Sequence, residues 1–351
     1  MTNTLSAPTE VAIEVTKNCN LKCVQCFSWN SRFSDDEVLS FIELKSLGQK
    51  LSEMKVFSVV FSGGEPFLRE NFLELCDFYS KLDIDVGFST NGTFLDDEAC
   101  RKVVQFNLGR GLQISLDGSC EEIHDRIRGK GSFKKVIQGI RNLVKYGVNP
   151  SLATTVLTYN INDIENVINL ASFEQCRHVH IIFLMPAGNA LNRGYENLNP
   201  NDEQIDNLIT LLEKLKNKFK GILSIDWGNS SHTPPYPEFN AEGFSTIDKL
   251  FAGCPAGKTK ILIDAFGNVY SCDILRTKDM CAGNIKHHSF EKIWTESTIL
   301  KTFRDRTPDK IKGKCSKCKY LNACVGGCPA YSVIDGYDIF HGDTSCKRNY
   351  F

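Results

Sequence analysis

Residues 11–26 read VAIEVTKNCNLKCVQC: a short apolar run, Val11–Lys17, leads directly into Cys19, Cys23 and Cys26. The run has the length and β-branched content of a strand. The C-x3-C-x2-C spacing then crowds three thiols onto the loop that leaves it. Nearby thiolates can converge on one centre with little chain to order, so the loop is a candidate metal site. Three thiolates can hold three corners of a 4Fe–4S cube and leave the fourth iron without a protein ligand. A structural zinc would want four ligands, and no His stands nearby to complete the set.

Outward from this loop the chain alternates. A helical pattern over Asp35–Met54 precedes a buried strand, Val56–Ser62, that ends in Gly63-Gly64. Helix Glu70–Lys81, strand Asp85–Thr90 with its closing Asn91-Gly92, helix Asp96–Phe106 and strand Leu112–Leu116 follow. Then come helix Phe133–Tyr146, strand Ser151–Leu157, helix Ile164–Ser172, strand Val179–Leu184 and helix Asp202–Phe219. Strands and helices alternating at this spacing argue for the α/β class: a partial (β/α)6 TIM-like barrel with active-site loops at the C-terminal strand ends. Ser230–Gly243 is rich in Pro, Ser and Asn and reads as a linker. The expected organisation is a tail at 1–10, the barrel at 11–225, a linker at 226–253 and a Cys-rich domain at 254–351. That last domain should open on a hairpin (Lys260–Ala265, Val269–Cys272) and carry one helix near Phe290–Phe303.

Composition narrows the class. Among 351 residues, 41 Lys+Arg against 42 Asp+Glu leave a net charge of -1. That balance gives no reason to expect nucleic acid or an anionic membrane as partner. No apolar run reaches the roughly 18 residues of a spanning helix, and Met1–Glu10 lacks a signal-peptide core. A cytoplasmic protein is expected, in which 15 Cys mean metal or redox chemistry rather than disulfides. Cys76, Cys100, Cys120 and Cys176 belong to no pattern and read as small buried hydrophobes. His178 and His180 alternate along a strand and read as core or barrel lining.

Two further motifs sit at strand ends. Ser62-Gly63-Gly64-Glu65-Pro66 joins glycines that permit close backbone approach to a carboxylate that can accept from an ammonium group. Ile114-Ser115-Leu116-Asp117-Gly118, followed by His124-Asp125-Arg126-Ile127-Arg128-Gly129, puts polar side chains where a ligand's hydroxyls would lie. Near the C-terminus the pattern is Cys254-x12-Gly267-x4-Cys272, then Cys315-x2-Cys318-x5-Cys324-x3-Cys328, then Cys346.

In this order the motifs resemble those of the radical S-adenosylmethionine (radical SAM) enzymes, and the C-terminal cysteines resemble the SPASM domain appended to many of them. The resemblance implies that Cys19, Cys23 and Cys26 bind a 4Fe–4S cluster whose open iron chelates S-adenosylmethionine. One electron then cleaves the sulfonium to a 5′-deoxyadenosyl radical that abstracts hydrogen. It further implies that Gly63, Gly64 and Glu65 hold the methionyl amino group, that Ser115 meets the ribose or carboxylate, and that Arg128 meets the carboxylate. Asp117, Asn91 and Leu184 would line the same cavity. Gln25 stands where the family usually has an aromatic residue, and Phe27 is expected to take over its packing on the adenine.

The SPASM resemblance implies two auxiliary 4Fe–4S clusters, an outer one on Cys315, Cys318, Cys324 and Cys346 and an inner one on Cys254, Cys272 and Cys328. The inner set is one thiolate short: Cys281 completes it, or serves as a hydrogen donor, or the iron is open to a substrate. Lys310, Lys312, Lys314, Lys317 and Lys319 would offset the outer cluster's charge, or form a solvated basic face. Asp273 matches the position of the proposed base in anaerobic sulfatase maturases.

The family relation implies a peptide or protein substrate, modified by crosslinking, oxidation or epimerisation. A leader-containing peptide, a separate leader-binding protein or leader docking at the barrel edge, and a flavodoxin- or ferredoxin-type electron donor are the expected partners. The alternative is a tetrapyrrole enzyme of the haem-biosynthesis type that modifies propionates. A simple iron–sulfur electron carrier is disfavoured, because it has no need of the Gly-Gly-Glu-Pro turn or the Ser115 strand end.

Overall fold

A computed structural model describes residues 4–27, 38–228 and 252–346. The chain folds as two units, one of Ile13–Lys45 and Val59–Gly228, the other of Met1–Ala12, Ser46–Ser58 and Asn229–Phe351. The division falls inside β1 (Glu10–Glu14), α1 (Phe41–Glu53) and β2 (Ser58–Ser62).

The larger unit continues through α2 (Phe72–Ser80), β3 (Asp85–Thr90), α3 (Asp97–Gln105), β4 (Leu112–Ser115), α4 (Glu121–Arg128) and α5 (Ser132–Lys145). It closes with β5 (Ser151–Val156), α6 (Ile164–Phe173), β6 (His178–Phe183), α7 (Asn189–Asn192), α8 (Tyr195–Leu198), α9 (Asp202–Lys218) and β7 (Ser224–Trp227). Strands β3 to β7 pair in parallel in chain order. Side chains alternate across a strand, so one face carries Ile114, Leu152, Val179 and Ile181, each fully buried. Each such side chain contributes about 1.5–3 kcal/mol on leaving water. The opposite face carries the row Ser115–Ala153–His180–Asp226, aligned across β4, β5, β6 and β7.

Helix starts follow local chemistry. Asp96 accepts from the Ala99 N–H at 2.9 Å to open α3, and Asn201 with Gln204 forms a capping box for α9, each satisfying orphan donors of the first turn. Four elements of this unit go beyond the sequence expectation: the polar eight-residue α4, the one-turn helices α7 and α8, and the strand β7, each too short or too polar to show a period. The expected helix from Asp35 begins at Phe41; residues 28–37 lie outside the described part, as does most of the expected linker, 229–251.

In the second unit β8 (Lys260–Ile263), β9 (Asn268–Tyr270) and β10 (Cys281–Asn284) are antiparallel. Asp264 builds the hairpin turn by accepting from the N–H groups of Phe266 and Asn268 at 3.0 and 2.9 Å. The single helix expected at 290–303 is two, α10 (Phe290–Glu296) and α11 (Thr298–Arg304), because Ser297 leaves helical geometry with ψ 124°. Two one- to two-turn helices, α12 (Leu321–Cys324) and α13 (Pro329–Ile334), complete it. The stretch expected to be a tail is tied into this unit. Trp294 donates to Leu5 O at 2.9 Å, Thr9 and Glu10 N–H donate to Thr259 O, and Lys260 pairs with Glu10 at 2.9 Å. Among the described residues no helix is long and apolar enough to cross a membrane.

Candidate active site and cluster cradles

The C-terminal ends of four strands hold the loop that carries Cys19, Cys23 and Cys26. After β2, Gly63 (φ +140°) and Gly64 lie against the loop's backbone: a Cβ on Gly63 would stand 2.3 Å from Thr16 O, and one on Gly64 2.1 Å from Asn18 O. The glycines are therefore required for the approach of chain to chain at this turn, whatever ligand it meets. After β3, Asn91 donates to Asn20 at 2.9 Å, and Asn20 donates to Thr93 at 2.9 Å. After β4, Asp117 accepts from Gln25 at 2.5 Å. After β6, Asn189 donates its side chain to Cys23 O and its N–H to Cys26 O, both at 2.8 Å. Gly188 is needed there, since its Cβ would meet Cys26 O and Phe27 O at 2.5 Å.

Asp117 is the centre of a buried network. Its carboxylate, fully buried, takes Arg128 Nε at 2.5 Å, Gln25 Nε2 at 2.5 Å and Thr155 N–H at 2.7 Å. Arg128 in turn lies 3.9 Å from Cys23 Sγ, and Val24 N–H donates to Ile127 O at 3.0 Å. Gln25 presents its NH2 to the carboxylate, which leaves its buried Oε1 with no protein partner. Glu65 is 1% exposed and accepts from Thr90 (2.7 Å), Asn91 N–H (2.8 Å) and Phe67 N–H (3.2 Å). Burial nevertheless pushes its carboxyl above the usual range, against these hydrogen bonds and the pull of Arg128.

Burial pushes the Cys23 thiol up to about 12 against the pull of Arg128, with Cys26 and Cys19 adding to the rise. The three thiols thus lie within each other's field. The C-terminal thiols fall into two such groups. Cys315 is coupled to Cys346 and Cys318, and Cys324 to Cys315 and Cys346. Cys254 is coupled to Cys328 and Cys272 to Cys254, burial raising them to about 11 and about 12. Metal binding to such thiols must expel protons. Among the described residues no three His, Cys, Asp or Glu converge on a single-ion site; the corners of an iron–sulfur cube hold thiolates farther apart than one ion does. Buried hydroxyls without a protein partner stand next in sequence to Cys272 (Ser271) and two residues before Cys346 (Thr344), as donors for cluster sulfur would.

Residues 13–171 match the Radical SAM superfamily and residues 254–319 the SPASM iron-sulfur cluster-binding domain. The mycofactocin maturase MftC of Mycolicibacterium smegmatis is 32% identical over 99% of this chain and 84% of its own length. The chain belongs to the radical SAM superfamily. An AdoMet-dependent heme synthase of Methanosarcina barkeri is 28% identical, covering 96% of this chain and 95% of the relative. The fold matches that of Streptococcus suis SuiB, in its structure with S-adenosylmethionine (TM-score 0.83, 18% identity, 99% and 79% coverage). It also matches SuiB in its structure with the precursor peptide SuiA (TM-score 0.81, 18% identity, 99% and 77% coverage).

As a radical SAM protein with a SPASM domain, the chain binds S-adenosylmethionine, a 4Fe–4S cluster and auxiliary iron–sulfur clusters. The residues present fit them: three thiols on a loop pinned from four sides, two further thiol groups, and orphan polar atoms at Gln25, Ser271 and Thr344. Ser115 ends β4 half-buried, and Asn91 is engaged with the cysteine loop. Leu184 is buried in an apolar cluster with Ile127, Leu157, Ala190 and Leu198, against which Val24 packs. Phe27 is 46% exposed.

In the C-terminal unit Cys281 packs with Ala12, Leu262 and Tyr270 and donates to Gly283 O at 3.4 Å. Asp273 offers its carbonyl to Arg276 Nε at 2.6 Å. Cys76, Cys100 and Cys176 are buried; Cys120 is exposed, a correction explained by its place at the N-terminal flank of the polar α4. His178 Nε2 lies 3.1 Å from Asp226 Oδ1, which His180 Nδ1 also contacts. Burial alone would raise that carboxyl, but the two imidazoles outweigh it and hold it below the usual range.

Missed by the sequence reading were Gly188, Asn189 and Arg306. Asn189 meets a cysteine 166 positions away, and no local pattern announces that.

Proposed function

We propose that the chain abstracts hydrogen from a side chain of a ribosomally made peptide or protein, installing a crosslink, an oxidation or an inverted centre. The barrel is read as 11–225 and the SPASM domain as 254–351, and the enzyme as cytoplasmic. The observation that carries the reading is the convergence of the β2, β3, β4 and β6 ends on the three-cysteine loop. Cys19, Cys23 and Cys26 are the ligands of the first cluster; Cys315, Cys318, Cys324 and Cys346, and Cys254, Cys272 and Cys328, those of the auxiliary pair. When bound, the cluster and S-adenosylmethionine supply a 5′-deoxyadenosyl radical. Glu65, buried with its carboxyl raised above the usual range, receives the methionyl ammonium; Arg128 retains donors beyond those turned to Asp117 and Cys23 and directs them to the carboxylate; Ser115 meets the ribose or the carboxylate.

Peptide maturation is supported by the maturase relative at 32% identity over nearly the whole chain and by the fold shared with SuiB. The haem-synthase relative at 28% keeps a tetrapyrrole substrate as the alternative. A separate leader-binding protein and a flavodoxin- or ferredoxin-type donor complete the proposed partners. Anaerobically reconstituted protein should hold close to twelve irons, about four per cube, and with dithionite and S-adenosylmethionine should release 5′-deoxyadenosine. Replacing Cys19, Cys23 and Cys26 by Ala should abolish the release. Undiminished cleavage in that variant would sink the assignment.

A further inference from the structure

We propose that Arg306 is a fixed cation shared by the two auxiliary cluster sites, and that it holds the reduction potentials of both clusters up. The inference rests on the SPASM reading above. The Arg306 side chain is 2% exposed, and every nitrogen of its guanidinium is spent on backbone carbonyls. Nε donates to Ile339 O at 2.7 Å, Nη2 to Gly326 O at 2.9 Å and His341 O at 3.5 Å, and Nη1 to Gly327 O at 3.1 Å and to Val325 O. Val325, Gly326 and Gly327 are the whole of the chain between Cys324, of the outer set, and Cys328, of the inner. Ile339 and His341 lead into the segment that ends in Cys346. One planar fork therefore fixes the chain at the point where the two ligand sets join.

Its charge is felt by the same thiols: Cys254 and Cys328 of the inner set and Cys324 of the outer all interact with it electrostatically, as does Asp343. Asp343 is 3% exposed and accepts from Cys328 N–H at 3.0 Å. The carbonyls that hold the guanidinium are neutral, and among the described residues no carboxylate bonds to it directly; Asp343 acts on it only through the field. Reducing a cluster adds one negative charge beside it, and a buried cation that Asp343 offsets only in part favours that state. Of the lysines near the outer motif, Lys314 also acts on Cys315 and contacts Cys346 O, whereas Lys312 does less. Lys312 pairs with Asp338 at 2.7 Å, with both side chains more than half exposed, where solvent screens the charge.

The test is an anaerobic redox titration of the full-length reconstituted protein, monitored by electron paramagnetic resonance, with iron counted in each sample. In Arg306→Gln the auxiliary potentials should fall by at least a tenfold change in the one-electron equilibrium, 59 mV. The potential of the Cys19/Cys23/Cys26 cluster should not move. Arg306→Lys keeps the charge without the fork and should hold the auxiliary potentials near wild type. Asp343→Asn removes a negative neighbour and should shift them upward, which tests the same field if Arg306→Gln fails to load its clusters. Unmoved auxiliary potentials in loaded Arg306→Gln, or in loaded Asp343→Asn where Arg306→Gln does not load, would overturn the proposal and leave Arg306 a structural tie. Wild-type protein that binds only about four irons would instead overturn the SPASM reading on which it rests.

Discussion

The buried Asp117–Arg128 pair allows a worked test of what holds the first cysteine loop. Asp117→Asn keeps the shape but removes the charge. The carboxylate now receives three donors, from Arg128, Gln25 and Thr155, at 2.5, 2.5 and 2.7 Å. An amide offers one acceptor oxygen in that space and turns an NH2 toward at least one donor. The Arg128 guanidinium, whose side chain is 11% exposed, loses the carboxylate it is bonded to. Removing one member of a buried pair costs about 3–5 kcal/mol. Arg128→Met alone should cost a similar amount. The double variant should cost less than the sum by about 2 kcal/mol or more, because each partner is harmful chiefly when left alone. Urea unfolding of the cluster-free protein, followed by far-ultraviolet circular dichroism, reads these values. After reconstitution the Asp117→Asn deficit should shrink, since thiolates then face Arg128. A deficit under about 1 kcal/mol, or strict additivity, would refute the view that this pair is isolated from water and braces the loop.

Three further outcomes follow from the same geometry. His124 is buried, accepts the Asp117 N–H through Nδ1, and is pushed down to about 4 by burial and by Arg128. The unfolded chain takes a proton near 6.5 that the folded one refuses until about 4, so stability falls across that window by about 3 kcal/mol. The gap in melting temperature between wild type and His124→Gln should accordingly narrow from pH 7 to pH 4, and a constant gap would be a refutation. Gly64→Ala, whose Cβ would stand 2.1 Å from Asn18 O, should lower the iron count by about four while the C-terminal clusters load; a full count would show that the turn can yield. Asn189→Ala leaves Cys23 O without its donor at a cost of about 1–3 kcal/mol, and should speed removal of the first cluster by a chelator; an unchanged rate would deny the contact a role.

The strand–helix alternation was legible because apolar runs such as Val56–Ser62 and Asp85–Thr90 are local, and the second of these coincides with β3 to the residue. The three-cysteine loop was legible because its ligands are neighbours in sequence. α4 was not: Glu121–Arg128 buries only His124 and Ile127, too few for a stripe. β7 was not either, with four residues and two of them exposed. Arg306 and Asn189 act on backbone carbonyls 20 and 166 positions away, and a contact to a main-chain oxygen leaves no trace in the identity of its partner.

The same distinction explains how the loop can be both short and exact in place. Cys19 to Cys26 has too few residues to form a core of its own, and Cys19 is exposed. Its order comes from outside, with one clamp each from the ends of β2, β3, β4 and β6. Because the β3, β4 and β6 ends belong to one series of parallel neighbours and β2 lies beside β3 in the same sheet, the barrel sets their spacing, and ordering the loop costs entropy once, when the barrel folds, rather than again when ligands arrive. A loop so held can leave one coordination position open without collapsing over it. That is the property a site needs if it is to bind a cofactor at a metal and still present the reactive end to a second molecule.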